Sequence, residues 1–165
     1  MTHINNLISK KNFKINKTTV TGFTTPTTSW SNLTPSQIDY TPSFNSTYVV
    51  YEYHTQMTYR DNYNQIDFKL QYGSDINNLT DITTNNEGYF ISYGSETSTS
   101  ARKSRLTIPI NILFLIPAWV GQKTLVLQTK IKSSAYEVYL DGIVDTVTLE
   151  SSDDYFNPFC SVHSI

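Results

Sequence analysis

The fold class is decided by the stretch LTIPINILFLIPAWVG, from Leu106 to Gly121, which is the most apolar run in the chain. Its central part, residues 108–119, would form a helix only about 18 Å long. A hydrocarbon core of about 30 Å needs about 20 apolar residues instead. Pro109 and Pro117 would also each disrupt a helix, at a cost of about 3 kcal/mol. The run is therefore too short and too broken to span a membrane as a helix, and we expect no membrane partner.

The alternation of side chains in this stretch predicts a β-strand. One parity is apolar throughout and comprises Ile108, Ile110, Ile112, Phe114, Ile116 and Ala118. The other parity is mixed, with Leu113 and Leu115 among polar residues and prolines. A strand with one fully apolar face belongs in the core of a sandwich or barrel. We expect Pro109 and Pro117 at the ends of the strand or beside a bulge, because proline cannot donate to a ladder.

Two further runs show the same alternation. STYVVYEYHTQMTYR has Val49 and Met57 on its apolar parity, and QIDFKLQY has Ile66 and Leu70 on its apolar parity. The turn-forming residues DNYN lie between them, so we expect an antiparallel pair with one solvated face.

The composition agrees with an all-β chain. The 165 residues are enough for one domain with a sizeable core, and the 12 tyrosines, with many β-branched residues, favour strands. We count eight to ten candidate strands with polar connections. The sequence therefore predicts an all-β, antiparallel β-sandwich of jelly-roll type over residues 17–165, preceded by a short N-terminal arm over residues 1–16.

Charge and cysteine content exclude several classes of protein. Charged residues make up 16% of the chain and the net charge is -2, so no bulk field attracts nucleic acid or an anionic membrane. Cys160 is the single cysteine, so no disulfide can form within the chain. The N-terminal residues lack the apolar segment of a signal peptide. We expect synthesis in a cytoplasm, which still allows a final location in a particle released by lysis.

No set of residues carries recognisable catalytic or metal chemistry. The three histidines His3, His54 and His163 are spread over the chain, and Cys160 with His163 forms only half of a metal-binding pair. Neither a nucleophile-elbow sequence nor a phosphate-binding glycine loop occurs. We therefore predict no enzymatic activity, no metal and no cofactor, and we treat Cys160 as a small buried apolar residue.

The segment IPAWVGQKTLVLQTKIKSSAYEVYL resembles one found in virion structural proteins of marine tailed phages and of large DNA viruses of algae and protists. The matching positions are Pro117, Trp119, Gly121, Lys123, Thr124, Leu125, Ser133, Tyr136, Glu137, Val138 and Leu140. The resemblance extends over residues 46–141. It departs at SDINNLTDI and at DGIVD, where the similar proteins carry a glycine-rich turn and an aromatic stretch.

This resemblance implies a non-enzymatic structural component of a virus particle: a minor capsid, decoration or tail-associated protein. The expected location is the virion, and the expected partners are other virion proteins. We also expect a homo-oligomer, with a trimer favoured, because the chain is rich in aromatic residues, mainly its 12 tyrosines, has few charges and has no internal disulfide. Neither nucleic acid nor a membrane is an expected partner.

A carbohydrate-binding sandwich that attaches to a host-surface glycan is the alternative hypothesis. It requires a row of exposed tyrosines formed by Tyr51, Tyr53, Tyr89 and Tyr93. A glycoside hydrolase fragment is a weaker third hypothesis, because no pair of carboxylates stands out.

The candidate interface residues lie in two places. In the arm they are Lys10, Lys11, Phe13, Lys14 and Ile15, and at the end of the opening stretch the candidate is Trp119. The arm is either a frayed terminus or a segment that becomes ordered on a neighbouring subunit, and the sequence leaves both open.

Overall fold

The computed structural model describes residues 13–17, 26–60, 64–82, 90–93, 105–132, 137–140 and 157–165. Within these ranges the regular structure is β-strand, apart from one 3₁₀ turn at Thr34–Ser36. The strands are, in chain order, β1 (Phe13–Lys17), β2 (Ser31–Asn32), β3 (Ile38–Tyr40), β4 (Tyr48–Arg60), β5 (Asn64–Gly73), β6 (Leu79–Asp81), β7 (Phe90–Tyr93), β8 (Arg105–Pro117), β9 (Lys123–Ile131), β10 (Glu137–Leu140) and β11 (Phe159–Ser164).

The strands form two sheets, and every pairing between them is antiparallel. Sheet A has the order β1, β11, β4, β8, and β10 pairs with the end of β4 beyond β11. In sheet B, β9 and β5 are central; β2 and β3 pair with β9, and β6 and β7 pair with β5. The two sheets pack face to face around a single core, so the predicted β-sandwich is confirmed.

Four of the described strand pairs are nested along the chain, whereas β5 also pairs with β9 and so crosses the pair of β4 with β8. β1 pairs with β11, β3 with β9, β4 with β8, and β5 with β7, so each earlier strand meets a later one. Nested antiparallel pairs divided between two sheets are the connectivity of a jelly roll. The predicted fold type is therefore confirmed by the topology itself.

The opening stretch forms β8, and its apolar parity faces the core as predicted. Ile110, Ile112 and Ile116 are buried. Pro117 ends the strand as expected, but Pro109 lies inside it, opposite Gln56 of β4. Among the strands that the structure describes, β8 pairs with β4 alone. An edge strand has one side that needs no N–H donor, which is why a proline is tolerated there.

The expected pairing of β4 with β5 is wrong. β4 pairs with β8 in sheet A, whereas β5 pairs with β9 from Ile66 to Gly73 in sheet B. Their buried sides face each other across the core instead of lying side by side. Alternation determines which face of a strand is buried, but two strands can satisfy the same pattern from opposite sheets.

Part of the polar segment before β4 completes sheet B. β2, the 3₁₀ turn and β3 run along β9, and Ser36 fills the gap between the two short strands. The Leu127 N–H donates to Ser36 Oγ at 2.8 Å, and Ser36 Oγ donates to the Leu33 carbonyl at 2.6 Å. The hydroxyl of Tyr51 in sheet A donates to the Ser36 carbonyl at 2.7 Å. Burial raises the pKa of Tyr51 well above its usual value, so this link between the sheets stays protonated.

The predicted boundary between arm and sandwich falls inside a strand. Residues 13–16, which were assigned to the arm, belong to β1 and pair with β11 from Phe13 opposite His163 onward. Residues 1–12, which make up most of the predicted arm, lie outside the described part of the chain.

Candidate interaction surface on sheet A

Sheet A presents a regular grid of side chains on the face turned away from the core. Residues opposite each other on neighbouring strands project from the same face of a sheet. One row across four strands consists of Phe13, His163, Val50 and Leu115, and the next consists of Ile15, Ser161, Glu52 and Leu113. The intervening residues Cys160 and Val162 are buried in the core, so these rows lie on the outer face.

Much of this outer face is apolar and exposed. Six large apolar side chains are each 43–59% exposed: Phe13, Ile15, Tyr48, Leu113, Leu115 and Ile165. We call these six residues the apolar patch. Ile165 joins it through reciprocal hydrogen bonds with Tyr48, at 2.9 and 3.1 Å between backbone N and O. The six side chains form two groups on this face: Phe13 and Ile15 lie on β1, and the other four lie on β8 and where the end of β11 meets β4. Exposed apolar groups gathered on one face of a folded protein mark a site of interaction.

A polar cluster interrupts the apolar patch, because Ser161 and Glu52 occupy the row between Ile15 and Leu113. Ser161 Oγ donates to Glu52 Oε2 at 3.3 Å, and His54 Nε2 lies 3.6 Å from the same oxygen. The other ring nitrogen of His54 is 2.6 Å from Asn111 Oδ1, and the ring stacks on Phe159 with centroids 4.3 Å apart. The serine hydroxyl bonds to the carboxylate and not to the imidazole, so these residues do not form the serine–histidine–carboxylate order of a nucleophilic triad. The cluster is a hydrogen-bonded polar strip that separates Ile15 from Leu113.

Two of the residues predicted to form an interface belong to the apolar patch, and two lie elsewhere. Phe13 and Ile15 are members of the patch. Lys14 has the opposite parity, and its Nζ donates across to the Asp39 carbonyl of sheet B at 2.8 Å. Trp119 lies at one end of the core, and Lys10 and Lys11 fall outside the described residues.

Trp119 is half-buried in an aromatic cluster that closes this end of the sandwich. Its ring centroid is 6.3 Å from that of Tyr40 and 5.8 Å from that of Tyr72. Lys123 Nζ lies 3.7 Å from the Tyr72 ring centroid and 5.9 Å from the Trp119 centroid. The Tyr40 hydroxyl bonds to Ser164 Oγ of sheet A at 2.6 Å. Burial raises the pKa of Tyr40, and the bond to Ser164 lowers it by less. The cluster therefore joins the two sheets.

Four members of the apolar patch were not predicted from the sequence. The signal for Leu113 and Leu115 was present, because both lie on the mixed parity of the opening stretch. Tyr48 and Ile165 carry no such pattern. They reach the patch because the end of β11 pairs with the beginning of β4.

The described residues offer no metal site: no three His, Cys, Asp or Glu side chains among them come close enough to hold an ion. Cys160 is buried in the core as expected. In the same part of the chain, no helix has the length and apolarity to cross a membrane.

Comparison with known proteins adds little to this geometry. No protein-family model matches the chain, and no curated protein matches it. Among solved structures, the chain is similar to the structure of Eiger TNF from S. frugiperda, with 12% sequence identity and a TM-score of 0.35. The similarity covers 87% of this chain and 93% of that chain.

Proposed function

We propose that this protein is a non-enzymatic assembly subunit that binds other protein subunits, including copies of itself, through the apolar patch. The observation that carries the proposal is the exposure of six large apolar side chains on one sheet face. On the sequence resemblance, we further propose that the assembly is a virus particle and that the subunit resides in the virion. The opposite face of sheet A is buried and packs against sheet B, so it is not available for binding a partner.

The size of the apolar patch favours self-association. Complete burial of a large apolar side chain contributes about 1.5–3 kcal/mol, so six half-exposed side chains contribute on the order of 6 kcal/mol. Association costs about 4–15 kcal/mol in lost freedom. One patch against a polar partner would therefore be marginal. Two patches that cover each other double the gain, which supports a symmetric homo-oligomer. A contact of one patch with its own copy gives a two-fold symmetric dimer, whereas the sequence analysis favoured a trimer.

The N-terminal arm supports the same surface. Residues 1–12 lead directly into β1, which carries Phe13 and Ile15 of the apolar patch. An arm that starts at the rim of the patch is placed to add contacts to any subunit bound there, with Lys10 and Lys11 available to pair with acidic side chains. We therefore propose a docking arm, and the support for it is that the strand it leads into carries two residues of the apolar patch.

The alternative function, attachment to glycans, requires a row of four exposed tyrosines, and two of the four are not exposed. Tyr51 and Tyr53 are fully buried in the core. Tyr89 lies outside the described residues, and the side chain of Tyr93 is likewise not described.

The experiment that tests assembly is sedimentation velocity on the purified chain at tens of micromolar. The wild type is expected to sediment as an oligomer, and a double variant, Leu113→Lys with Leu115→Lys, as a folded monomer. Asn77→Lys is the matched control, because Asn77 is exposed in the turn after β5 and only its backbone N–H is bonded, to Asp75. A monomeric wild type, or a double variant that remains oligomeric, would overturn the proposal.

The virion location is tested separately. Antibody against the purified chain is expected to label intact purified particles, and deletion of residues 2–12 is expected to reduce incorporation while β1 remains paired. Particles that contain none of the chain would remove the viral part of the proposal and leave the assembly part standing.

A further inference from the structure

An open depression lies on the side of the sandwich where β1 of sheet A approaches β3 of sheet B. Its volume is about 390 Å³, and it is lined by Phe13, Lys14, Asp39, Tyr40, Thr41 and Gln122. Pockets for small ligands range from about 300 to 1,000 Å³, so the depression is large enough for one or two small rings.

The polar groups around the depression are held in place. Lys14 Nζ donates to the Asp39 carbonyl at 2.8 Å, which ties the rim of sheet A to that of sheet B. The Thr124 hydroxyl donates to Asp39 Oδ1 at 2.6 Å and fixes the carboxylate. A ligand that enters would therefore meet groups that need little reorganisation.

Hydrogen-bonding capacity remains after these contacts. An ammonium group has three donors, and Lys14 uses one of them. Within the described part of the chain, Asp39 Oδ2 accepts no hydrogen bond and the Gln122 carboxamide makes none. The depression thus offers donors and acceptors side by side.

The charges in the depression have opposite signs. The Lys14 ammonium and the Asp39 carboxylate border the same space, so their fields largely cancel and neither an anion nor a cation gains much from entering. A hydroxyl group, which donates and accepts at once, matches both. The exposed Phe13 ring and the edge of Tyr40 add apolar surface against which C–H groups can pack.

We infer that this depression binds a neutral saccharide unit, with its hydroxyl groups on Lys14, Asp39 and Gln122 and its C–H face against Phe13. This site is distinct from the row of tyrosines that the sequence suggested. Phe13 also belongs to the apolar patch, so the saccharide and a bound subunit would share this residue. Asp39 and Gln122 lie outside the patch, and the test therefore addresses these two residues.

The test is an NMR titration of ¹⁵N-labelled protein with the methyl glycosides of glucose, galactose, mannose and N-acetylglucosamine, each to about 10 mM, which detects millimolar affinity. At least one glycoside is expected to shift the Gln122 side-chain amide and the backbone amides of the lining residues Lys14 and Thr41 in a saturable way. The backbone amides report binding in Gln122→Ala. In Asp39→Asn and in Gln122→Ala the affinity is expected to fall at least about tenfold, with the remaining spectrum showing an intact fold. Asp39→Asn keeps an acceptor for Thr124 and so spares the scaffold.

Trp30→Ala is the matched control, because Trp30 is another partly exposed aromatic residue and does not line the depression. It is expected to bind like the wild type. The inference is overturned if no neutral glycoside shifts Gln122, or if Trp30→Ala loses binding while Gln122→Ala retains it. Tighter binding of the anionic methyl sialoside than of every neutral glycoside would also overturn it.

Discussion

The outer faces of the two sheets differ in how far their side chains are covered by contacts within the chain. On sheet A, the apolar patch leaves six large side chains in water. On sheet B, the large aromatic residue Trp30 lies between two lysines, with Lys69 Nζ 4.8 Å and Lys130 Nζ 4.7 Å from the ring centroid. Such cation–π contacts cover an aromatic ring with groups of the same chain.

The charges on sheet B are also paired within the chain. Lys69 Nζ lies 2.9 Å from Asp81 Oδ1, and Gln71 Nε2 donates to the same oxygen at 2.6 Å. Lys130 Nζ lies 3.6 Å from a carboxylate oxygen of Asp67, which is only 6% exposed. Sheet B thus uses its outer surface for internal contacts, whereas sheet A keeps apolar area that can gain free energy only by binding. Substitutions on each outer face and in the core are expected to have different effects on stability.

The largest effect is expected away from both outer faces, at the aromatic cluster that joins the sheets. Trp119→Ala removes the ring that packs on Tyr40 and Tyr72. We expect a loss of about 3 kcal/mol in the free energy of unfolding, at the lower end for large aromatic truncations because the ring is half-buried. Chemical denaturation measures it.

Val120→Ala is the control for this substitution, because Val120 is the next residue and is fully exposed. It is expected to leave the free energy of unfolding nearly unchanged. A loss below about 1 kcal/mol for Trp119→Ala would mean that the ring does not hold this end of the core.

Alternation in the sequence predicted the strands and their buried faces, but not which strands are neighbours. The opening stretch and the run containing Val49 and Met57 became β8 and β4 with the expected residues inside. The same rule could not place β5, because a strand buried on one face fits either sheet equally well. Long-range contacts decide that question, and one unaligned sequence does not show them.

The candidate site was predictable in part, for a similar reason. Phe13 and Ile15 stand out as apolar residues among lysines, but their alignment with Leu115 and Leu113 depends on three successive strand registers. The inter-strand role of Ser36 could not be predicted, because a serine in a polar segment looks the same whether it is exposed or bridges two strands. The apolar patch and the bridge at Ser36 are both formed by residues that are close in space but distant in sequence.

An intermediate effect is expected from the two carboxylates on the opposite outer faces. Asp67→Ala on sheet B leaves Lys130 without its buried partner, and we expect a loss of about 2 kcal/mol in the free energy of unfolding, because Lys130 can still reach water. Glu52→Ala on sheet A removes a carboxylate that is one-third exposed, and we expect about 0.5 kcal/mol. Equal losses in urea denaturation would contradict the distinction between the faces.

The smallest effect, and the one that tests the internal pairing on sheet B most directly, concerns Asp81. Hydrogen bonds from Gln71 and Lys69 lower the pKa of the Asp81 carboxyl below its usual value of 3.8. A carboxyl whose pKa is lower in the folded than in the unfolded state stabilises the protein at pH values above its unfolded-state pKa. This stabilisation disappears as the pH falls below 3.8 and through the folded-state pKa. Because the Asp81 side chain is 55% exposed, solvent screening limits the effect, and we expect Asp81→Asn to reduce the free energy of unfolding by a few tenths of a kcal/mol at pH 7. The difference from wild type should vanish near pH 2 and shrink in about 1 M salt, whereas Leu115→Ala on sheet A should show no such dependence. An Asp81→Asn difference that persists in acid would mean that shape, and not charge, holds this contact.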